Sequence, residues 1–455
     1  MIHNIKRKVL VLLLVDITFF ILAMSVNMVN ILTILTIGQL ILELVIIREK
    51  SGRFFCFSNI FIILSYILHM GNLVSVCLLQ YKNDYIVSLG KSTLINSILF
   101  FMLCHLFFVL GTVFVGRRSI RINMKKKYNI SFKVLEQVGW ISLFVGIIPR
   151  IYIDCKQISM QLNGDYLNAL HNINKYGIVG ILALFFYAGA AIVMYTSVNH
   201  RIRARIILVL ITIWEMITML SGGRIYAISL IIVLFYLYCL KIEQPKMKTV
   251  VLGGIAGGVI SIIMAVISHI RGVGSFNISD IQNMLSGDFL NQNPIISFLV
   301  EMGGTMKSLA YSIQDFPSYS NYALGKTYLE TIISVIPFIG EKIVDIKNLV
   351  YIYNFRFFGY LGGSWLGEVY FNFSWFGCII CFFIGRWIFR IDKTLEDNNE
   401  NNNIVTMFCL AFLFYIIRYT RDYFYGFAQP IQVCVVLLIM SLIVNLFNKH
   451  MKKKS

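Results

Sequence analysis

The chain has 455 residues and a mass of 52.2 kDa; 58% of its residues are hydrophobic and only 14% are charged. A soluble globular protein has about 45–50% apolar and about 25% charged residues. The apolar excess is too large to be buried in one water-soluble core. Composition therefore excludes a soluble enzyme, a disordered protein and a disulfide-stabilised secreted domain. It predicts an all-α protein that crosses a membrane many times.

Twelve apolar runs are long enough to form membrane-spanning helices, because about 20 residues are needed to cross a hydrocarbon core of about 30 Å. They cover residues 9–26, 28–47, 54–79, 92–115, 136–153, 176–197, 206–223, 225–240, 249–268, 364–385, 404–421 and 427–447. The sequence thus predicts a polytopic bundle of about 12 transmembrane helices. Residues 1–268 hold the first nine helices, residues 269–363 form a large extracytoplasmic loop, and residues 364–455 hold the last three helices and a cytoplasmic tail.

The formal net charge of +18 comes from basic residues that lie between the apolar runs. Lysines and arginines concentrate in every second connecting segment, for example at residues 117–127, 201–205 and 449–454. Cytoplasmic loops of membrane proteins carry such an excess of basic residues. The pattern predicts that both termini are cytoplasmic. Because the basic residues do not form one soluble face, we expect no nucleic-acid partner.

The predicted extracytoplasmic loop, 269–363, is long enough to have a structure of its own. Apolar residues recur with helical spacing over 278–290, 295–315 and 323–336. Pro294 suits a helix start, and Pro317 and Pro337 mark helix ends. The pattern predicts amphipathic helices that lie on the outer membrane face and form a binding surface or lid.

Arginines on the predicted outward side are the first candidates for function. They are Arg150, Arg224, Arg271, Arg356, Arg418 and Arg421. A charge inside the bilayer costs about 2.5 kcal/mol or more, so that such a side chain faces the bundle interior or a watery cavity. The forked guanidinium matches phosphate oxygens, and we predict that all but Arg356 bind the pyrophosphate of a lipid-linked substrate. The alternative is structural, since arginines also reach headgroups or pair within the bundle, as the i, i+4 spacing of Arg418 and Asp422 allows.

Three further residues are candidates for catalysis. His269 lies where a span meets the long loop, and a histidine is suited to act as a general base near neutral pH. Glu368 enters an apolar helix, where its charge needs a partner, and an outward arginine is the natural one. Glu301 lies beside Gly303 and Gly304, which allow close packing. Each carboxylate is alternatively a structural salt-bridge partner, and His269 a structural residue of the interface.

No motif for a bound cofactor is visible. On the predicted outward side, His, Asp and Glu do not cluster at metal-ligand spacing, and the chain has no Walker A loop or dinucleotide fingerprint. The predicted cytoplasmic segments are too short for a nucleotide-sugar domain. Any transfer chemistry must therefore use a membrane-borne activated donor at the outer face, and we expect no metal and no cofactor.

Several segments resemble the Wzy-type O-antigen and capsular polysaccharide polymerases, the oligosaccharide repeat unit polymerases. They are Ser221-Gly222-Gly223-Arg224, Glu301-Met302-Gly303-Gly304-Thr305 and Gly325-Lys326-Thr327-Tyr328. The stretch from Gly363 to Gly377 looks like the family's G-x-E-x-Y-x-N-F-G-x-x-G segment, with Ser374 where glycine is usual. The resemblance covers the topology of the whole chain, and local motifs between residues 215 and 425.

This resemblance implies a glycosyltransferase of the bacterial inner (cytoplasmic) membrane. It would join undecaprenyl-pyrophosphate-linked oligosaccharide repeat units into O-antigen or capsular polysaccharide on the outer face. Donor and acceptor would both be lipid-linked, and membrane lipids and a chain-length regulator protein would be partners. Two alternatives stay open: an O-antigen ligase-like enzyme that uses a different acceptor, and a lipid-linked oligosaccharide flippase, which predicts related halves that the sequence does not show.

Overall fold

The computed structural model describes residues 2–81, 88–115, 130–162, 177–219, 224–243, 294–318, 321–336, 363–397 and 403–454. In chain order the helices are α1 Ile2–Met24, α2 Val29–Ser51, α3 Phe57–Cys77, α4 Lys91–Val113, α5 Phe132–Leu162, α6 Gly177–Thr196, α7 Arg201–Thr218, α8 Arg224–Lys241, α9 Pro294–Met302, α10 Thr305–Asp315, α11 Lys326–Ser334, α12 Trp365–Phe373, α13 Cys378–Glu396, α14 Asn403–Tyr419 and α15 Ala428–Lys454. Short 3₁₀ helices lie at Ser197–Asn199, Ser374–Gly377 and Phe424–Phe427. These ranges contain no strand, and the all-α prediction is confirmed for them.

Eight helical segments in the described ranges are long and apolar enough to cross a membrane. They are Val29–Ser51, Phe57–Cys77, Lys91–Val113, Phe132–Met160, Gly177–Asn199, Arg224–Lys241, Trp365–Glu396 and Phe424–Met451. Each coincides with a predicted span, which confirms a polytopic helical membrane bundle. Three further predicted spans are helical but are not among these eight. Helices α1 and α7, which carry more charged residues, cover most of the predicted spans 9–26 and 206–223, and the shorter apolar helix α14 covers most of 404–421. The predicted span 249–268 lies outside the described residues. A total of about twelve spans therefore stays a prediction.

The chain folds into two compact units. Unit 1 comprises residues 1–120, 299–394 and 419–428, and unit 2 comprises residues 121–298, 395–418 and 429–455. These units divide the chain differently from the three consecutive parts expected from the sequence, whose positions relative to the membrane stay a prediction.

In unit 1, part of the predicted extracytoplasmic loop packs against apolar helices. The helix expected over 295–315 is interrupted after Met302 and continues as α10 from Thr305. A Cβ on Gly303 would overlap the backbone nitrogen of Asn72 in α3, which shows that the backbones of these two segments are in direct contact. Helix α10 packs against α3, α4 and α12 and buries Leu309 and Ala310 completely. This part of the loop segment therefore contributes to the core of unit 1. The segment expected over 278–290 lies outside the described residues.

The predicted span 364–385 is not one continuous helix. Helix α12 ends at Phe373, the 3₁₀ turn Ser374–Gly377 follows, and α13 begins at Cys378. Ser374 has φ +53° and ψ −143°, a conformation that a side chain strongly disfavours, and it breaks the helical path. A Cβ on Gly377 would lie 2.8 Å from the carbonyl oxygen of Val369, which shows that the turn folds back against α12. Apolar length alone predicted a continuous helix because it does not report such a break.

Replacing Ser374 by glycine is expected to stabilise the protein. A side chain in this backbone region costs about 1–3 kcal/mol, whereas glycine loses about 0.5–1 kcal/mol more conformational entropy on folding. The net gain of about 1 kcal/mol should raise the midpoint of thermal unfolding by about 1–2 °C. Ser374→Ala is the matched control, because it keeps the Cβ and removes the hydroxyl that interacts with the Tyr370 phenol. An alanine variant as stable as the glycine variant would contradict this account.

In unit 2, helices α5 and α6 lie in close contact along their length. A Cβ on Gly146 would overlap the backbone of Phe186, and a Cβ on Gly189 would overlap that of Leu143. Helix α5 continues through Pro149 to Leu162, beyond the predicted end at residue 153. The extension makes Asp154 helical and places it four residues after Arg150, an arginine described below.

Candidate functional site

The predicted site residues fall into three groups. His269 and Arg271 lie outside the described residues. Glu301, Glu368 and Arg421 belong to unit 1, with Glu301 next to last in α9 and Glu368 in the first turn of α12. Arg150, Arg224 and Arg418 belong to unit 2. The described residues therefore include two clusters of side chains that could take part in binding or catalysis, one in each unit.

In unit 1, the carboxylate of Glu368 joins three segments of chain. Its side chain is buried, with 2% of the residue exposed. Oε1 accepts a hydrogen bond from Thr327 Oγ1 at 2.7 Å, and Oε2 accepts one from the backbone nitrogen of Phe424 at 2.7 Å. Among the described residues its partners are thus a hydroxyl and an amide, where the sequence predicted an arginine. Both oxygens accept, as those of an ionised carboxylate do.

Asn372 lies one helical turn after Glu368 in α12, and its side chain forms hydrogen bonds with the segment Gly325–Thr327. Its Nδ2 donates to Thr327 Oγ1 at 2.8 Å, and its Oδ1 accepts from the backbone nitrogen of Gly325 at 3.0 Å. Gly325 has φ +87°, a conformation that favours glycine, and precedes the first residue of α11. The Gly325–Tyr328 motif and the motif between Gly363 and Gly377 were recognised as separate features of the sequence, and these hydrogen bonds join them into one structure. We call it the Glu368 clamp, comprising Gly325, Thr327, Glu368, Asn372 and the backbone of Phe424.

Aromatic rings lie beside the Glu368 clamp. The ring of Tyr328 stacks parallel to that of Phe373, with centroids 6.1 Å apart, and meets the ring of Phe424 edge-on at 5.0 Å. Flat aromatic faces are suited to packing against the apolar faces of sugar rings, while the neighbouring carboxylate and amide bind hydroxyl groups. The composition of this region therefore fits a carbohydrate ligand.

In unit 2, two of the predicted arginines lie over tyrosine rings that share a neighbour. The Arg418 guanidinium lies 4.3 Å from the centroid of the Tyr226 ring, and that of Arg150 lies 5.2 Å from the Tyr187 ring. The Tyr187 ring stacks on Phe414 at 3.8 Å, and Tyr226 also packs against Phe414 at 6.3 Å. The two guanidinium groups are thus connected through three aromatic rings. We call these five residues the arginine–tyrosine cluster.

Arg150 also has a carboxylate partner that sequence reasoning missed. Its Nη2 lies 2.9 Å from Oδ1 of the buried Asp154, four residues further along α5. The other carboxylate oxygen of Asp154 accepts from Trp214 Nε1 at 3.1 Å. The i, i+4 spacing of Arg150 and Asp154 was a readable signal for this pair. Part of the Arg150 charge is therefore compensated inside unit 2, as the structural alternative expects.

The remaining arginines differ in their surroundings. Arg224, the first residue of α8, is 4% exposed, and Arg421 places Nη1 3.7 Å from the sulfur of Met302. Within the described ranges, no group of three or more His, Cys, Asp or Glu side chains is arranged to hold a metal ion. The chemistry of the described clusters is that of guanidinium groups, hydroxyls, one clamped carboxylate and aromatic rings. Such groups can neutralise an anion and orient hydroxyl groups.

Comparison with known proteins identifies the family. The family model for the O-antigen polysaccharide polymerase Wzy matches residues 8–454, nearly the whole chain. The protein therefore belongs to this family, and the resemblance inferred from the motifs is confirmed. No curated protein and no solved structure matches the chain. Family membership makes the chain an O-antigen polymerase that acts on lipid-linked oligosaccharide repeat units in a membrane.

Proposed function

We propose that this polymerase works at the outer face of the bacterial cytoplasmic membrane, with both termini in the cytoplasm, on undecaprenyl-pyrophosphate-linked donor and acceptor. The single observation that supports this most is the family match over residues 8–454. In each cycle the bond between the anomeric carbon of the donor glycan and a pyrophosphate oxygen breaks. A bond forms between that carbon and a hydroxyl oxygen of the incoming repeat unit. The hydroxyl proton passes to a base, and the pyrophosphate leaves with the electron pair.

The arginines of unit 2 are proposed to stabilise the leaving pyrophosphate. Fixed guanidinium groups in a site of low dielectric constant stabilise developing negative charge without rearrangement. Arg418 is assigned the main part because its planar group is held against Tyr226. Arg150 contributes through the N–H groups that Asp154 does not use, and Arg224 through its position at the start of α8. Arg271 and Arg421 remain proposed ligands from the sequence.

Glu368 is proposed as the general base that accepts the hydroxyl proton. Each of its oxygens accepts one hydrogen bond in the Glu368 clamp and keeps a second lone pair for an acceptor hydroxyl. A base in this role contributes about 10²- to 10⁴-fold to the rate. His269 and Glu301 stay as the other proposed bases.

The test uses purified protein in lipid nanodiscs with undecaprenyl-pyrophosphate-linked repeat units, with and without EDTA. We expect a ladder of products longer by whole repeat units, and the same ladder with EDTA. Transfer only to an acceptor without a polyprenyl chain would indicate a ligase-like enzyme, and movement of the substrate across the membrane without extension would indicate a flippase. A ladder that EDTA abolishes and added Mg²⁺ restores would contradict the proposed metal independence.

A further inference from the structure

Two residues of α3 form hydrogen bonds with the N-cap and the first residue of α12, the helix that carries Glu368. His69 Nε2 lies 3.0 Å from Ser364 Oγ, and Ser65 Oγ lies 3.2 Å from Trp365 Nε1. Ser65 and His69 are four residues apart and so lie on one face of α3. All four residues are fully buried. This contact lies within unit 1 and involves neither of the clusters described above.

The hydrogen bonds of His69 have a defined direction. Its Nδ1 lies 2.9 Å from the carbonyl oxygen of Ser65, which only accepts, so Nδ1 carries the proton. In the neutral ring Nε2 is then an acceptor, and the hydroxyl of Ser364 donates to it. Ser364 Oγ in turn accepts from the backbone nitrogen of Gly367 at 3.0 Å, which makes Ser364 the N-cap of α12. The cap is therefore oriented by His69.

The hydrogen bonds of Ser65 are directed in the same way. The indole Nε1 of Trp365 only donates, so Ser65 Oγ accepts from it and is free to donate to His105 Nε2 at 2.9 Å. The other ring nitrogen of His105 lies 3.4 Å from Glu43 Oε2, a contact without hydrogen-bond geometry. Hydrogen bonds therefore connect His105 of α4 through Ser65 of α3 to Trp365, the first residue of α12, and Glu43 of α2 lies beside the far side of the His105 ring.

The Glu43–His105–Ser65 order matches that of a nucleophilic triad. The Ser65 hydroxyl, however, is completely buried and already accepts a hydrogen bond from the completely buried Trp365 indole. The geometry therefore favours a holding role over a nucleophilic one.

We propose that Ser65 and His69 are positioning residues that fix the N-terminus of α12 and so the placement of Glu368. The proposal rests on the function proposed for Glu368. Helix α12 has only nine residues and is too short to be stable alone. Glu368 lies one turn from the cap, and its backbone nitrogen donates to the carbonyl oxygen of Ser364 at 2.9 Å. A misplacement of about 1 Å at a reacting group costs about 10²-fold in rate.

Two substitutions of His69 separate this role from general packing. Glutamine can present an oxygen near the position of Nε2 and accept from Ser364, whereas asparagine can replace only the Nδ1 donor to the Ser65 carbonyl. We expect His69→Gln to keep kcat within about 3-fold, and His69→Asn to lower kcat at least about 10-fold with the KM for the lipid-linked donor unchanged. Ser65→Ala should behave like His69→Asn. Ser75→Ala is the matched control, because the hydroxyl of this buried α3 serine donates a hydrogen bond to the carbonyl oxygen of Gly71 in its own helix.

A readout that does not need polymerisation accompanies the kinetics. Hydrogen–deuterium exchange over residues 364–373 should be faster in His69→Asn than in His69→Gln, because the Gly367 amide loses its oriented acceptor. Equal exchange and equal kcat in the two variants would overturn the proposal, as would labelling of Ser65 by a fluorophosphonate. If the unmodified protein extends no repeat units, the proposed function fails, while the exchange comparison still tests the link between α3 and α12.

Discussion

Glu368→Gln should lower the rate of glycan extension by about 10²-fold or more while the protein remains folded. Glutamine fills the same volume and still offers one oxygen to the Phe424 amide, and its amide can donate to the Thr327 hydroxyl. Most of the Glu368 clamp is therefore kept, and only the proton acceptor is lost. Rates are measured with purified protein and lipid-linked repeat units, and stability by thermal unfolding.

Thr327→Val is the matched control for this result. It leaves Glu368 ionisable but removes the hydroxyl that contacts both Glu368 and Asn372. Glu368 Oε1 then has lost its donor, which costs about 1–3 kcal/mol for a buried group, whereas Asn372 Nδ2 keeps its hydrogen bond to the carbonyl oxygen of Glu368. We expect Thr327→Val to unfold at a lower temperature than Glu368→Gln and to retain activity within about 10-fold. Equal losses of activity in the two variants would mean that Glu368 holds the turn and does not act as a base.

Arg418→Ala should lower the extension rate by about 10²- to 10³-fold, the effect of removing one donor that stabilises a developing anion. Arg418→Lys should recover part of this loss, because lysine keeps the charge but not the planar fork that matches phosphate. The ratio of the extension rate of Arg418→Ala to that of the unmodified protein should be the same for substrates that have a shorter polyprenyl chain and the same pyrophosphate.

The control for Arg418 is Arg203, also in unit 2. Its guanidinium lies 5.9 Å from the Trp140 ring and pairs with Glu136 at 2.7 Å. Arg203 belongs to a segment predicted to be cytoplasmic, so Arg203→Ala likewise removes a guanidinium–aromatic contact, but away from the proposed site. We expect it to change activity less than about 3-fold, because this partly exposed pair lies away from the proposed chemistry. An equal loss in both variants would assign Arg418 a purely structural role.

The membrane helices could be predicted from the sequence because apolar length is a direct physical requirement of a bilayer. The helix break at Ser374 could not be predicted, because it depends on the backbone conformation of one residue inside an otherwise apolar stretch. Helices α10 and α11 were predicted from their apolar spacing. The burial of α10 against α3 and α4 depends on tertiary packing that spacing does not report.

The candidate site was predicted only in part. The motifs around Gly325 and Glu368 were recognised separately, but their contacts join residues 41 to 47 positions apart, which no local pattern reveals. The cost of burying a charge led to an expected arginine partner for Glu368, and a hydroxyl and an amide fill that role. The same rule was not applied to Glu43 and His69, which lie inside predicted spans, or to Asp154, which lies one residue beyond the predicted span 136–153.

The Glu368 clamp has a consequence for engineering this family. Hydrogen bonds hold residues 323–328 against residues 364–373. The Asn372 side chain binds Gly325 and Thr327, and the backbone nitrogens of Ala323 and Leu324 donate to the carbonyl oxygens of Phe371 and Asn372. Chimeras that graft a loop from a homologue with different sugar specificity should therefore carry both segments from the same parent. A graft with its boundary between them would pair two halves that were never selected to fit.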